Sequence, residues 1–206
     1  MTLARTLLAL AVLAAVWLAT LLLGTGPVDR SLLLALHANE AWLRTFAIGL
    51  TMLGNWPTLV AAALAGAAWL AWRRRFSDAA LLLAATMSGR LLIILQKEWF
   101  ARVRPEENLQ LVEVHYKSFP SGHAGNSMLT LVMLAILLSP PAYRRLGMTA
   151  AMLLSTAIGL SRPVLGVHWP TDIAGGWAFG LWWALFCLAL AQTLKRNNNT
   201  SPSATT

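Results

Sequence analysis

Three short stretches bring together residue types that suit the handling of an oxyanion. KEWFARVRP places Lys97 and Arg104 seven residues apart. PSGH sets Pro120, Ser121, Gly122 and His123 ahead of an apolar run. SRPVLGVHWPTD carries Arg162, His168 and Asp172. Lys97 and Arg104 share one face, two turns apart, if the helix through Trp99 continues to Pro105. Pro and Ser suit a helix start, glycine lets the backbone approach a ligand closely, and the unpaired first amides of a helix attract anions. Asp172 follows His168 by four residues, near enough to hold one ring nitrogen and leave the other free as a nucleophile or base.

Each stretch also has a plainer explanation. Two basic residues at a helix end snorkel to lipid headgroups. PSGH serves as an ordinary helix cap, although a cap has no use for the imidazole of His123. Asp172 suits the first turn of any helix through the dipole. Taken together the three are harder to dismiss. Fixed cations and helix amides are what a transferring phosphoryl group needs around its equatorial oxygens. One histidine can attack while the other protonates the leaving oxygen. The sequence has no carboxylate cluster suited to magnesium and no Cys/His set at zinc spacing, so the expected chemistry is phosphoryl transfer without a metal or other cofactor.

The elements that must position these residues cross a membrane. The 206 residues are 57% hydrophobic and 12% charged, about half the charged share of a soluble domain. Apolar runs of helix-spanning length recur. They predict an all-α polytopic membrane protein with six spans, at about 3–24, 55–72, 79–99, 122–138, 146–162 and 171–194. Leu runs broken by charges between 25 and 54 predict interfacial helices. The apolar stretch from Leu7 to Leu23 is too long for an ordinary signal-peptide core and is expected to be a retained first span. Residues 1–196 are expected to form one domain, and the polar tail 197–206 to be disordered. Although the net charge is +8, the basic residues lie between apolar spans rather than on a soluble face, which argues against a nucleic-acid partner. The lone Cys187 implies no disulfide.

Arg5, Arg73, Arg74, Arg75, Arg144, Arg145, Lys195 and Arg196 gather at one set of span ends, where the acid is Asp78. At the other ends the basic residues are accompanied by Asp29, Glu40, Glu98, Glu106, Glu107, Glu113 and Asp172. The positive-inside rule then puts both termini on the cytoplasmic side and all three stretches on the outward face.

Lys-x6-Arg-Pro, then Pro-Ser-Gly-His, then Ser-Arg-x5-His-x3-Asp, in this order and between six spans, resembles the type 2 phosphatidic acid phosphatase superfamily. The resemblance covers nearly the whole chain and departs at no motif position. It implies that His168 is a nucleophile forming a phosphohistidine, with Asp172 as its orienting partner and His123 as general acid. Lys97, Arg104 and Arg162 would clamp the phosphoryl oxygens, and Ser121 with the Gly122 amide would complete the cradle. The partner implied is a membrane lipid phosphate, met at the periplasmic face of a bacterial cytoplasmic membrane. GVHWPTDIAGGWAFG is similar to the branch acting on undecaprenyl diphosphate and phosphatidylglycerophosphate. Undecaprenyl diphosphate is the favoured substrate, with phosphatidylglycerophosphate, phosphatidate and lipid A as alternatives. A non-catalytic lipid-phosphate binder and a transporter are the competing classes.

Other residues have weaker claims. Arg90 lies one heptad before Lys97 and is expected to face the cavity, mainly in a structural role. His115 and Lys117 fit a solvated loop. Trp42, Trp56, Trp99 and Trp169 fit an interfacial belt, and Gly176 with Gly180 fit helix packing.

Overall fold

The computed structural model describes residues 3–200, the side chains only as far as 197, and among these residues every regular element is helical. Eight α-helices follow in order: α1 Leu3–Leu23, α2 Pro27–Leu36, α3 Ala41–Leu53, α4 Trp56–Trp72, α5 Phe76–Phe100, α6 Gly122–Leu138, α7 Arg144–Val164 and α8 Pro170–Thr200. Six of them fall on the six expected spans, and α2 and α3 fall in the stretch expected to hold interfacial helices.

By length and composition α1, α5 and α8 are each long and apolar enough to cross a bilayer, whereas α6 is shorter. α3 and α4 also qualify when taken together, as a pair bent by 43°, so α3 continues into α4 across a break rather than standing wholly apart from the spans. α8 runs to Thr200, four residues into the tail expected to be disordered; residues 201–206 lie outside the described part.

Burial explains why apolar composition persists on both faces of the helices. α1 has no buried residue and most of its side chains are exposed, so that surface is available to lipid. The core instead lies between α4, α5, α6 and α8, where Leu70, Leu82, Leu129, Val132 and Met133 are fully enclosed. Alongside this core, α6 and α8 approach at backbone distance. A Cβ added to Gly176 would stand 2.7 Å from the Ser121 carbonyl oxygen, and one on Gly180 would overlap the Gly125 carbonyl. Small residues allow that approach, as their spacing predicts.

The α8 N-terminus is fixed from outside the helix. Asp29, in the first turn of α2, accepts from the Thr171 amide at 3.0 Å and from the Thr171 hydroxyl at 2.6 Å. This capping satisfies an orphan donor of α8 and matches the helix dipole. It also anchors the turn that carries Asp172.

Candidate active site

All three stretches meet at one end of the bundle, around a cavity of about 490 Å³. Lys97, Arg104, Gly122, His123, Arg162 and His168 line it. Ser121 and Asp172 lie just behind the wall, both fully buried. The structure therefore gathers all eight of the expected site residues.

Lys97 arrives on the last turn of α5 and donates to the Lys117 carbonyl at 2.7 Å and the Ser118 carbonyl at 3.1 Å. Arg104 does not sit on a continuation of that helix. α5 stops at Phe100, and Ala101 turns left-handed at φ 48°. Arg104 instead reaches the cavity from the following loop, donating to the Tyr116 and Val167 carbonyls at 2.5 Å each. Arg162, on the last turn of α7, donates to Thr51 Oγ1 at 2.5 Å, while its buried Nε has no partner. Three cations thus converge on one space, with a donor still unused.

Ser121 is the N-cap of α6, its hydroxyl accepting from the Ala124 amide at 3.5 Å, and its own amide donates to the Asp172 carbonyl at 3.0 Å. The Phe119–Pro120 peptide bond just before it is cis. Gly122 is open to the cavity beside the Lys97 side chain. His123, one residue further, is held by Asn55 Oδ1 at 2.8 Å from its Nε2.

His168 occupies the short connection between α7 and α8. Its Nδ1 lies 3.2 Å from Asp172 Oδ2 and 3.3 Å from the Ser118 hydroxyl. The carboxylate fixes the proton on Nδ1, leaving the Nε2 lone pair on the cavity side, 3.2 Å from Arg104 Nη1. Burial, and after it the charges of Arg104, Lys97 and Arg162, pushes this imidazole well below the usual histidine range. It therefore stands neutral at physiological pH, as a nucleophile must. Burial also lowers the Arg104 guanidinium, to about 10, with Asp172 opposing, so it remains a cation at neutral pH.

Asp172 is more heavily engaged than its spacing suggested. Oδ2 accepts from the Ser118 hydroxyl and from the Trp169 amide at 3.0 Å, while Oδ1 pairs with Arg102 at 2.8 Å. Arg102 also donates to Thr171 Oγ1 and to the Thr20 and Leu21 carbonyls at the end of α1. Arg102, Ser118, Asn55 and Thr51 were all missed in the sequence. Arg102 gave one signal, its place in KEWFARVRP two residues before Arg104. The others are polar residues in loops or near helix ends that only tertiary folding brings close.

Two of the expected belt tryptophans have other roles. Trp169 is buried and donates to the Val103 carbonyl at 2.9 Å, and Trp56 lies in the cavity wall beneath Arg90. Trp42 and Trp99 are exposed, as a belt requires. His115, though exposed, lines the cavity mouth. Among the described residues no three His, Cys, Asp or Glu side chains gather as a metal would need.

A membrane-spanning helical bundle with two imidazoles and three cations around one cavity defines an anion-handling site at a bilayer. The sequence comparison gives that class its family: the PAP2 superfamily matches residues 78–196, and the chain belongs to it. Phosphatidylglycerophosphatase B of Bacillus subtilis is 30% identical over 167 residues, spanning 79% of this chain and 82% of that one. An undecaprenyl-diphosphatase of Sulfolobus acidocaldarius is 34% identical over 101 residues, 49% of this chain and 46% of that one. Among solved structures, a transmembrane PAP2-type phosphatidylglycerolphosphate phosphatase from Bacillus subtilis superposes with a TM-score of 0.84 at 27% identity, covering 91% of this chain and 98% of that one. LpxE of Aquifex aeolicus shares the fold, with a TM-score of 0.65 at 21% identity over 80% of this chain and 97% of that one.

Proposed function

We propose that the protein is a metal-independent phosphatase of membrane lipid phosphates that works through a phosphohistidine on His168. The observation that carries this reading is the orientation of His168: a neutral ring, held at Nδ1 by Asp172, with its Nε2 facing a cavity ringed by Lys97, Arg104 and Arg162.

In the first step the Nε2 lone pair attacks phosphorus while the bond to the lipid oxygen breaks, and His123 delivers a proton to that oxygen. The imidazolium that develops on His168 is stabilised by the Asp172 carboxylate. Lys97, Arg104 and Arg162, with the Ser121 hydroxyl and the Gly122 amide, balance charge on the equatorial oxygens. In the second step water attacks phosphorus, the P–N bond breaks, and His123 takes the water's proton, so that inorganic phosphate leaves.

For the substrate, phosphatidylglycerophosphate moves ahead of undecaprenyl diphosphate. The relative that spans four fifths of both chains is named for the former, and the undecaprenyl-diphosphatase match covers about half of each. The second reading rests on that shorter match, 34% identical where it aligns. The distribution of basic residues supports a site on the periplasmic face of a bacterial cytoplasmic membrane, with both termini inside.

The test is phosphate release by purified protein in detergent with EDTA, from phosphatidylglycerophosphate, undecaprenyl diphosphate, phosphatidate and a lipid A phosphate. Release that vanishes in His168→Ala, with an acid-labile, base-stable phosphoenzyme trapped in the wild type, is expected. Absence of release from every lipid would leave a non-catalytic binder.

A further inference from the structure

The phosphate clamp uses three of the cations around the cavity, and a fourth remains. Arg90 lies on α5 two turns before Lys97, its Cα roughly 10 Å deeper at about 1.5 Å rise per residue, and lines the same cavity. Its guanidinium stacks on the Trp56 ring, 4.1 Å from the centroid. Among the described residues it has no hydrogen bond and no ion pair. Trp56 is the first residue of α4, and its neighbour Asn55 holds His123. The charge is therefore carried to the head of α4, beside the reacting centre. An arginine in a spanning helix is costly and is normally paired. This one has five donors to offer, and none of the described residues takes them.

Asn126 is the second observation. It lies one turn below Gly122 on α6, is 6% exposed, and lines the cavity between the levels of Lys97 and Arg90. Its Oδ1 is enclosed in the protein without a hydrogen-bond partner, while its Nδ2 lies beside Gly122 in the cavity wall. The NH2 group is therefore the side of the amide that can donate to an acceptor in the cavity. The hydroxyl oxygen of a linker at this level would accept from that NH2 group.

From these two residues, and resting on the phosphatase reading above, we propose a second subsite for a headgroup in which a short hydroxylated linker joins the scissile phosphomonoester to a second, phosphodiester phosphate. Lys97, Arg104 and Arg162 hold the terminal phosphate, Asn126 meets the linker hydroxyl, and Arg90 pairs with the phosphodiester. The order from the cavity mouth inward matches a lipid whose phosphodiester lies nearer its acyl chains than its terminal phosphate does. A polyprenyl diphosphate has one oxygen between its phosphorus atoms and no hydroxyl. Phosphatidate has neither the second phosphate nor the hydroxyl.

The experiment measures kcat/KM of wild type, Arg90→Gln, Arg90→Lys and Asn126→Ala on three lipids: phosphatidylglycerophosphate, its analogue with the linker hydroxyl removed, and phosphatidate. Arg90→Gln is expected to lose about tenfold on the first lipid, the scale of one charge-assisted hydrogen bond. That loss should appear mainly in KM, exceed the loss on phosphatidate at least fivefold, and be partly recovered by Lys. Asn126→Ala should abolish the wild-type preference for the hydroxylated linker. Equal losses on all lipids, or a wild type indifferent to both the second phosphate and the hydroxyl, would overturn the subsite while leaving the phosphatase reading intact. Wild-type enzyme inert on every lipid would instead overturn the phosphatase reading, and the subsite with it. Inhibition of each variant by orthovanadate verifies a folded terminal-phosphate site.

Discussion

Arg102 Nη1 and Asp172 Oδ1 lie 2.8 Å apart with both side chains buried. This pair turns the carboxylate so that its other oxygen faces His168, and it ties the end of α1 to the start of α8. Breaking it by Arg102→Ala leaves a buried carboxylate uncompensated, which costs about 3 kcal/mol or more. The expected result is a lowered Tm in detergent together with reduced kcat. Because the planar fork spans Asp172, Thr171 and two carbonyls, Arg102→Lys should recover only part of both. Full activity in Arg102→Ala would show that Asp172 needs no such support.

The clamp carries a prediction about metals. If Lys97, Arg104 and Arg162 supply the stabilising charge, chelators leave turnover intact and orthovanadate inhibits it. Arg162→Ala should lower kcat by about 10²–10³, the loss typical of one preorganised donor. Phosphate release measured with EDTA, and again with added magnesium, checks both points. A strict magnesium requirement would refute the scheme.

The state of His168 can be read directly. Its protonated form is disfavoured in the folded protein, so the ring stays neutral as pH falls through about 6.5 and protonates only well below that value. Over the same window the unfolded chain takes up a proton that the folded chain does not, so this group makes stability fall as pH drops. Nitrogen-15 NMR of histidine-labelled protein, with His168 assigned from His168→Asn, should report the Nδ1–H tautomer at about pH 5.5. An imidazolium signal at pH 6 would contradict the assigned environment.

Asn55 is expected to act through His123. Its Oδ1 accepts from Nε2 at 2.8 Å, which fixes the ring without touching phosphorus. Asn55→Leu should therefore lower kcat by about tenfold or more while moving KM little, a fraction of the 10²–10⁴ that a positioned proton donor contributes. Asn55→Asp, which keeps an acceptor, should retain more activity and shift the pH profile. A change confined to KM would place Asn55 in substrate binding.

Much of this arrangement was legible in the residues, because span length and apolar composition are dictated by the bilayer itself. α4 and α6 begin within one residue of where their runs begin, and His168 lies four residues before Asp172 on the expected connection. What escaped depends on chain reversals. The left-handed Ala101 ends α5 at a residue that carries no turn signal, so the condition under which Arg104 would share a helix face with Lys97 is not met. That same reversal points Arg102 back toward Asp172, about seventy residues away in sequence. Trp56 passed for a lipid anchor because composition alone does not reveal that an arginine will stack on it.

The seam between α6 and α8 has a further consequence. Gly125, Gly176 and Gly180 let two helices touch backbone to backbone, and those helices carry His123 and Asp172, while His168 is bound to the latter. The seam is thus a gauge block: its thickness sets the gap between His168 and His123, the groups to which the proposed mechanism gives the attack on phosphorus and the protonation of the departing oxygen. A single methyl at Gly180 would widen that gap without altering any side chain in the cavity, detuning the chemistry from a position that no substrate reaches.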